Sequence, residues 1–302
     1  MQHTCIVIVG PTAVGKTALA IRMAEHFNTA IISADSRQCY REMTIGVAKP
    51  SVEELARVHH YFINSHSIHQ EVNAALFEQY ALQSVNYLYG QRAVAVMTGG
   101  TGLYVKAFCE GLDDIPPVSL EVRERITKEF QQQGLAWLQQ EVAEQDPLYY
   151  STGEIQNPHR LLRALEVKLV TGQSIRTFQQ GKKAIRPFRI VKIGLELPKE
   201  DLHRNINQRV ENMMQEGLLE EVQSLLPWRH LNALQTVGYN ELFQYLDGNC
   251  TLPEAVEAIK TNTRHYAKRQ MTWFRKSIDI QWFSPTNDAA ILDYCQSVMA
   301  GA

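Results

Sequence analysis

No apolar run in this chain approaches the roughly 20 residues a helix needs to cross a bilayer. Met1 to Gly10 leads directly into a strand-like segment, with no basic leader or cleavage site. Membrane insertion and export are therefore not expected, and a cytoplasmic setting is. Cysteine is scarce: Cys5, Cys39, Cys109, Cys250 and Cys295 are odd in number, far apart and free of any CxxC pair. That argues against a disulfide framework and against a zinc site, and the five read as reduced, packed thiols. Glycine and proline, 17 and 11 of 302 residues, are too few for a fibrous or mostly disordered chain. There is no internal repeat and no low-complexity tail. What remains, 45% hydrophobic and 21% charged residues in 34.4 kDa, is a globular composition with room for one large domain or a core carrying a smaller one.

Net charge is nearly absent as well, at −2. That would ordinarily argue against a polyanionic partner, but net charge averages over regions of opposite sign. Between Ile155 and Lys192 the cations Arg160, Arg163, Lys168, Arg176, Lys182, Lys183, Arg186, Arg189 and Lys192 face Glu166 alone. Lys260 to Lys276 carries Lys260, Arg264, Lys268, Arg269, Arg275 and Lys276 with no acid, whereas Glu110 to Glu154 holds ten acids. Such runs are what solvated helix faces carry, and also what a segregated surface that meets a polyanion carries.

Thr4 to Val9 (TCIVIV), closed by Gly10, has the look of a buried parallel strand. Further strands are expected at Ala30–Ser33, Ala93–Met97 and Arg189–Leu197, with a short one at Ile280–Phe283. Strands alternating with helical stretches imply a parallel sheet with helices on both faces. From Asp113 to Arg186 the pattern is helical, Gln-rich and charged, without a strand. The expected organisation is therefore a core of 1–112 and 187–302 with a helical insertion at 113–186. Later helices are expected at Ile206–Leu226, Pro253–Trp273 and Asn287–Met299.

Gly10, Pro11, Thr12, Ala13, Val14, Gly15, Lys16 and Thr17 form a complete GxxxxGK[ST] loop between a strand and a helix. Its physics is anion capture. Glycines let backbone N–H groups curl around an oxyanion, the helix N-terminus adds its dipole, Lys16 supplies a point charge and Thr17 a hydroxyl ligand for Mg²⁺. The loop binds a diphosphate or a triphosphate, without specifying the molecule that carries it. A nucleotide hydrolase normally shows an apolar strand ending in Asp to organise metal and water. Here the third strand ends in Thr98-Gly99-Gly100, and the Asp that follows an apolar strand is Asp35, at the carboxyl edge where open α/β sheets place ligands. Asp35 is a candidate base, although an Asp after a strand is often only a turn residue or cap.

These blocks together resemble the tRNA dimethylallyltransferase family, also called tRNA isopentenyltransferases. The resemblance is carried by GPTAVGKT, DSRQCYREMTIGVAKP from Asp35, GGTGLY from Gly99, RALEV from Arg163, QTVGYNEL from Gln235 and NTRHYAKRQMTWFRK from Asn262. Val47 stands where that family usually has Thr, and Asn157-Pro158 where many members have an Asn-Asp pair. The resemblance implies a P-loop NTPase-like α/β core, a parallel sheet flanked by helices, with a helical insertion domain that contacts tRNA. It implies transfer of the dimethylallyl group from dimethylallyl diphosphate to the exocyclic 6-amino group of the adenosine 3′ of the anticodon, in tRNAs reading codons that begin with U. Asp35 would then be the base, with Thr101 beside it. Residues 10–17 and, by resemblance, Thr101 and Arg209 would hold the departing diphosphate with Mg²⁺ on Thr17. Because the target base must leave the anticodon loop to react, Asp35, Ser36, Arg37, Gln38, Thr101, Arg123, Asn157, His159, Arg160 and Arg163 are the candidate RNA contacts. The expected partners are the tRNA anticodon stem-loop and the prenyl diphosphate, with the enzyme a monomer. No zinc-finger-like extension follows the blocks, which favours a bacterial source. A P-loop kinase and a non-catalytic RNA-binding NTPase module are the competing classes, and the kinase reading does not account for Asp35, GGTGLY and the C-terminal basic block together.

Three features read as structural. His59, His60, His66 and His69 lack zinc spacing and read as polar loop residues. Trp273 and Phe274 read as a packed helix face, and Asp146-Pro147 as a turn.

Overall fold

The protein is described here from a computed structural model covering residues 2–301. It forms two compact units, one of residues up to 110 together with 185 onward, the other of residues 111–184. The boundaries lie two residues before the expected 113 and 186.

In the first unit the chain runs β1 (Thr4–Val9), α1 (Lys16–His26), β2 (Ile31–Ser33), α2 (Val52–Arg57), β3 (His60–Tyr61), α3 (Ala74–Tyr89), β4 (Val94–Thr98) and α4 (Gly102–Glu110). The second unit follows with α5 (Leu120–Gln145), α6 (Pro147–Thr152), α7 (Pro158–Thr171) and α8 (Ile175–Phe178). The chain then returns to the first unit with β5 (Arg189–Leu195), α9 (Lys199–Gln215), α10 (Leu218–Ser224), α11 (Tyr239–Leu246), α12 (Leu252–Phe274), β6 (Ile280–Phe283) and α13 (Asp288–Ala300). Among the described residues no helix is long and apolar enough to cross a membrane.

The six strands are all parallel, in the order β3-β2-β4-β1-β5-β6. The core of a P-loop NTPase-like fold is thus a sheet buried on both sides, which is why its strands read as continuous apolar runs. Period-two alternation sends Cys5, Val7 and Val9 to one face, with Ile32, Ala95 and Met97, and Ile6 and Ile8 to the other, with Ile31, Val96 and Ile193. The first face is covered by Phe77 and Val85 of α3, Tyr104 and Phe108 of α4, and Ile259 and Phe274 of α12. The second is covered by Leu19 and Met23 of α1, Ile206 of α9 and Ile291 of α13. The loops leaving β1, β2 and β4 therefore emerge together at the carboxyl edge of the central strands.

Several expectations need correction. A two-residue strand, β3, pairs with β2, and it contains His60, which is 8% exposed and not a loop residue. The helix expected over Ile206–Leu226 is broken at Gly217, whose φ of 99° ends α9 and starts α10. Asp146-Pro147 is a helix start, not a turn: the Asp146 side chain accepts the Tyr149 N–H at 3.0 Å, and Pro147 occupies the first turn, where its missing N–H costs nothing. Phe274 is buried but Trp273 is 38% exposed, its indole lying over Gly102. The second unit packs Ile126, Leu138 and Val142 of α5 against Leu161, Ala164 and Leu165 of α7.

Candidate active site

The loop from Gly10 to Thr17 connects β1 to α1 and adopts the conformations its composition allows. Gly10 has φ 146°, and a Cβ there would meet the Leu195 carbonyl oxygen at 2.6 Å, so no side chain fits. Gly15, at φ 101°, is the residue before the helix. Lys16 Nζ donates to the Pro11 carbonyl at 2.7 Å, folding its ammonium back over the loop. Burial of that ammonium, reinforced by the nearby Arg209 and opposed by Asp35, lowers its pKa to about 7. Arg209 reaches in from α9 and donates to Thr12 Oγ1 at 3.2 Å. Burial lowers the Arg209 pKa too.

The three sheet-edge loops converge on a cavity of about 230 Å³ lined by Thr12, Ala13, Gly15, Lys16, Thr17, Asp35, Gln38, Gly99, Gly100, Arg209 and others. A second cavity, also about 230 Å³, shares Thr12, Asp35, Val47, Ala48, Arg209 and Tyr266 with the first and continues between Ser36, Arg37, Val210, Met213, Val237 and Ile259. The first holds the cations Lys16 and Arg209 together with the acids Asp35 and Glu54, and the second mixes apolar side chains with Asp35, Arg37, Arg209 and several hydroxyls. Asp35 lies where they meet. One of its carboxylate oxygens accepts the backbone N–H groups of Arg37 (2.9 Å) and Gln38 (3.3 Å), fixing the side chain at the start of its turn. The Thr17 hydroxyl, a hard oxygen donor, lines the same pocket and suits Mg²⁺, which takes few protein oxygens and keeps several waters.

Among the other expected residues, Gly10, Pro11 and Val14 shape the loop without lining either cavity. Thr101 stands behind the wall: its hydroxyl accepts the Ser36 N–H at 3.0 Å, donates to Ser36 Oγ at 3.3 Å and bonds the Tyr266 side chain. The Gln38 amide is engaged internally, accepting from Ser33 Oγ and donating to the carbonyls of Val47 and Ala48. Arg37 donates to the Asn232 carbonyl at 2.8 Å.

Arg123, Asn157, His159, Arg160 and Arg163 belong to the second unit. Asn157 caps α7 by accepting the Arg160 N–H, and buried Glu166 takes both Arg123 (3.4 Å) and Arg163 (3.3 Å). His159, Arg160 and Arg163 line a cavity of about 680 Å³ with Tyr149, Glu154 and Arg176. Sharing one helix face, as their spacing requires, Arg160 and Arg163 open to the same side.

Sequence reasoning missed two groups. Gln270 accepts the Thr12 N–H at 2.8 Å and donates to the Gly100 carbonyl at 3.0 Å, tying the phosphate loop to the loop after β4. Tyr266 lines both cavities, and burial beside Asp35 raises its pKa to about 12, keeping it a neutral donor. The signal was present. Ile259, Thr263, Tyr266 and Gln270 recur at helical spacing along α12 and form the stripe that faces the cavities.

A phosphate loop at the carboxyl edge of a parallel sheet, opening across a carboxylate into a partly apolar chamber, defines a P-loop-type group-transfer enzyme. A family model described as IPP transferase matches residues 38–277, and the chain belongs to that family. It is similar to tRNA dimethylallyltransferase 1 of Bacteroides thetaiotaomicron, 47% identical over 291 residues that cover 96% of this chain and 94% of the relative. A tRNA dimethylallyltransferase of Christiangramia forsetii is 47% identical over 298 residues, covering 98% and 99%. Among solved structures, the tRNA isopentenylpyrophosphate transferase of Bacillus halodurans superposes with a TM-score of 0.72 at 33% identity, covering 99% of this chain and 96% of that one.

Proposed function

We propose that the protein transfers the dimethylallyl group of dimethylallyl diphosphate to the exocyclic 6-amino group of the adenosine 3′ of the anticodon, in tRNAs reading codons that begin with U. The carrying observation is that Asp35 lines both the phosphate-loop cavity, beside Lys16 and Arg209, and the partly apolar cavity that continues from it. The loop amides, Lys16 and Arg209 take the diphosphate, and the apolar walls take the isoprenoid tail. An adenine amine is a weak nucleophile because its lone pair is delocalised into the ring. As its nitrogen bonds to the first tail carbon, the carbon–oxygen bond to diphosphate breaks and its electron pair leaves with the phosphate. The displaced amine proton passes to the Asp35 carboxylate. Lys16 and Arg209 face the oxygen on which charge grows, so they favour the transition state over the ground state. Thr101 and Tyr266 hold the Ser36 turn from behind, keeping Asp35 in place. Mg²⁺ held by Thr17 would neutralise diphosphate charge, leaving the second Asp35 oxygen for the proton.

Ser36, Arg37 and Gln38 lie beside the entering base, and Arg123, Asn157, His159, Arg160 and Arg163 contact the anticodon stem-loop. In this reading the enzyme acts as a monomer. A tRNA substrate and five free cysteines support a cytoplasmic setting. Mass spectrometry of tRNA incubated with enzyme and dimethylallyl diphosphate tests the reading. The expected product carries one dimethylallyl group on one anticodon-loop adenosine, and unmodified tRNA contradicts it.

A further inference from the structure

A carboxylate outside both cavities holds the segment that walls them. Residues 44–49 form a tight turn closed by the Ala48 and Lys49 N–H groups on the carbonyls of Ile45 and Thr44, with Ala48 at φ 49°. Val47 and Ala48 of this turn line both cavities. From α10, Glu221 accepts three consecutive backbone N–H groups: Thr44 (2.9 Å) and Ile45 (2.8 Å) on one oxygen, Gly46 (3.0 Å) on the other. The buried Tyr239 hydroxyl donates to that second oxygen at 2.5 Å. Gly46 lies so close to the Tyr239 ring that an added Cβ would meet it at 2.5 Å. On the other side of the turn the Gln38 amide holds the Val47 and Ala48 carbonyls, and at its base Lys49 Nζ donates to the Tyr40 carbonyl and to Asn64.

We propose that Glu221, with Tyr239, is a positioning residue that fixes the Val47–Ala48 wall and thereby limits the length of prenyl chain the apolar cavity accepts. The inference rests on the prenyl-transfer reading and adds to it the device that sets substrate size. Four donors on one carboxylate make a charge-assisted latch, and the part-buried Ile45 and Gly46 N–H groups freed from it would have to find another partner or remain unsatisfied, while the exposed Thr44 N–H could turn to water. A neutral amide at 221 offers only one accepting oxygen, so half of the latch is lost and the wall is free to move outward. A second isoprene unit, excluded by the fixed wall, then finds room.

The test compares Glu221→Gln and Tyr239→Phe with the wild type. It measures kcat/KM for dimethylallyl diphosphate and for geranyl diphosphate on the same tRNA, with melting temperature alongside. The wild type should strongly prefer the five-carbon donor. Glu221→Gln should lower that preference by about tenfold or more, the scale on which one or two methylenes are discriminated. Tyr239→Phe, which keeps the three backbone bonds, should lower it less. Val47→Ala, which trims the wall and enlarges the cavity directly, should lower it with the latch intact, and serves as the second variant should Glu221→Gln fail to fold. Variants that melt earlier yet keep the wild-type ratio overturn the positioning role and leave prenyl transfer standing. A wild type that transfers neither donor overturns both.

Discussion

Asp35 has two demands on one carboxylate: one oxygen anchors the turn through the Arg37 and Gln38 amides, while the side chain lines the reaction cavity. Asp35→Asn should preserve much of the turn and remove the base, lowering the single-turnover rate constant by about 10²-fold or more with tRNA affinity within a few-fold. An unchanged rate would remove Asp35 from the chemistry. Lys16 gives a pH prediction. With its pKa lowered to about 7 by burial and by Arg209, the free enzyme holds Lys16 increasingly neutral above that pH. A bound diphosphate favours the ammonium, so binding above pH 7 takes up a proton, and prenyl-diphosphate affinity should weaken as pH rises, by up to about tenfold per unit. Below pH 7 Lys16 is already charged and contributes no slope. Lys16→Arg keeps its charge, so the ratio of the two dissociation constants cancels the ligand's own titration, and parallel profiles in calorimetry would contradict the assignment. At this scale the phosphate loop and Asp35 were legible because their chemistry is local. Glu221 and Gln270 were not, because the backbone groups they hold lie 175 to 177 and 170 to 258 residues away in the chain.

Element by element, what was legible followed from how much one segment determines alone. The doubly buried strands were visible as apolar runs, whereas β3 has only two residues and depends on pairing with β2. The break at Gly217 was a glycine signal inside a helical pattern, and α11 is a short helix entered through Gly238 at φ 97°. Trp273 was misread because one side of the α12 stripe faces Gly102 and solvent instead of the core. That same helix carries Gln270 to the phosphate loop. Gln270→Leu would leave the Thr12 N–H and Gly100 carbonyl without their partner, at a cost of about 1–3 kcal/mol per unsatisfied group. A lowered midpoint in urea unfolding and a weaker prenyl-diphosphate dissociation constant should appear together, and loss of stability with unchanged affinity would confine Gln270 to structure.

Over the whole molecule, charge proves less segregated than the sequence implies. Of the basic run from 155 to 192, Arg186 pairs with Glu78 and Lys192 with Asp279 in the first unit, and Arg189 donates to the Val298 carbonyl. Arg163 is shared with Glu166, and Arg176 is held over the Tyr149 ring and by the Thr152 carbonyl. Exposed Arg160 remains the best-placed cation for a phosphate. Arg160→Ala should weaken tRNA binding and reduce the slope of log K against log salt by roughly 0.7 to 0.9 per lost contact, with prenyl-diphosphate affinity unchanged. An unaltered slope and affinity would return Arg160 to a solvated helix face. The internal pairing of these charges was not readable from the sequence, since composition counts cations without their partners. We propose that the phosphate loop serves a prenyl diphosphate and not a nucleotide. Its most direct test is one incubation of enzyme and tRNA with dimethylallyl diphosphate labelled in its carbon chain and ATP labelled in its terminal phosphate. Carbon label entering tRNA, with ATP neither hydrolysed nor competing at similar concentration, is the predicted result; tight ATP binding with phosphate release and no carbon label in RNA would contradict it.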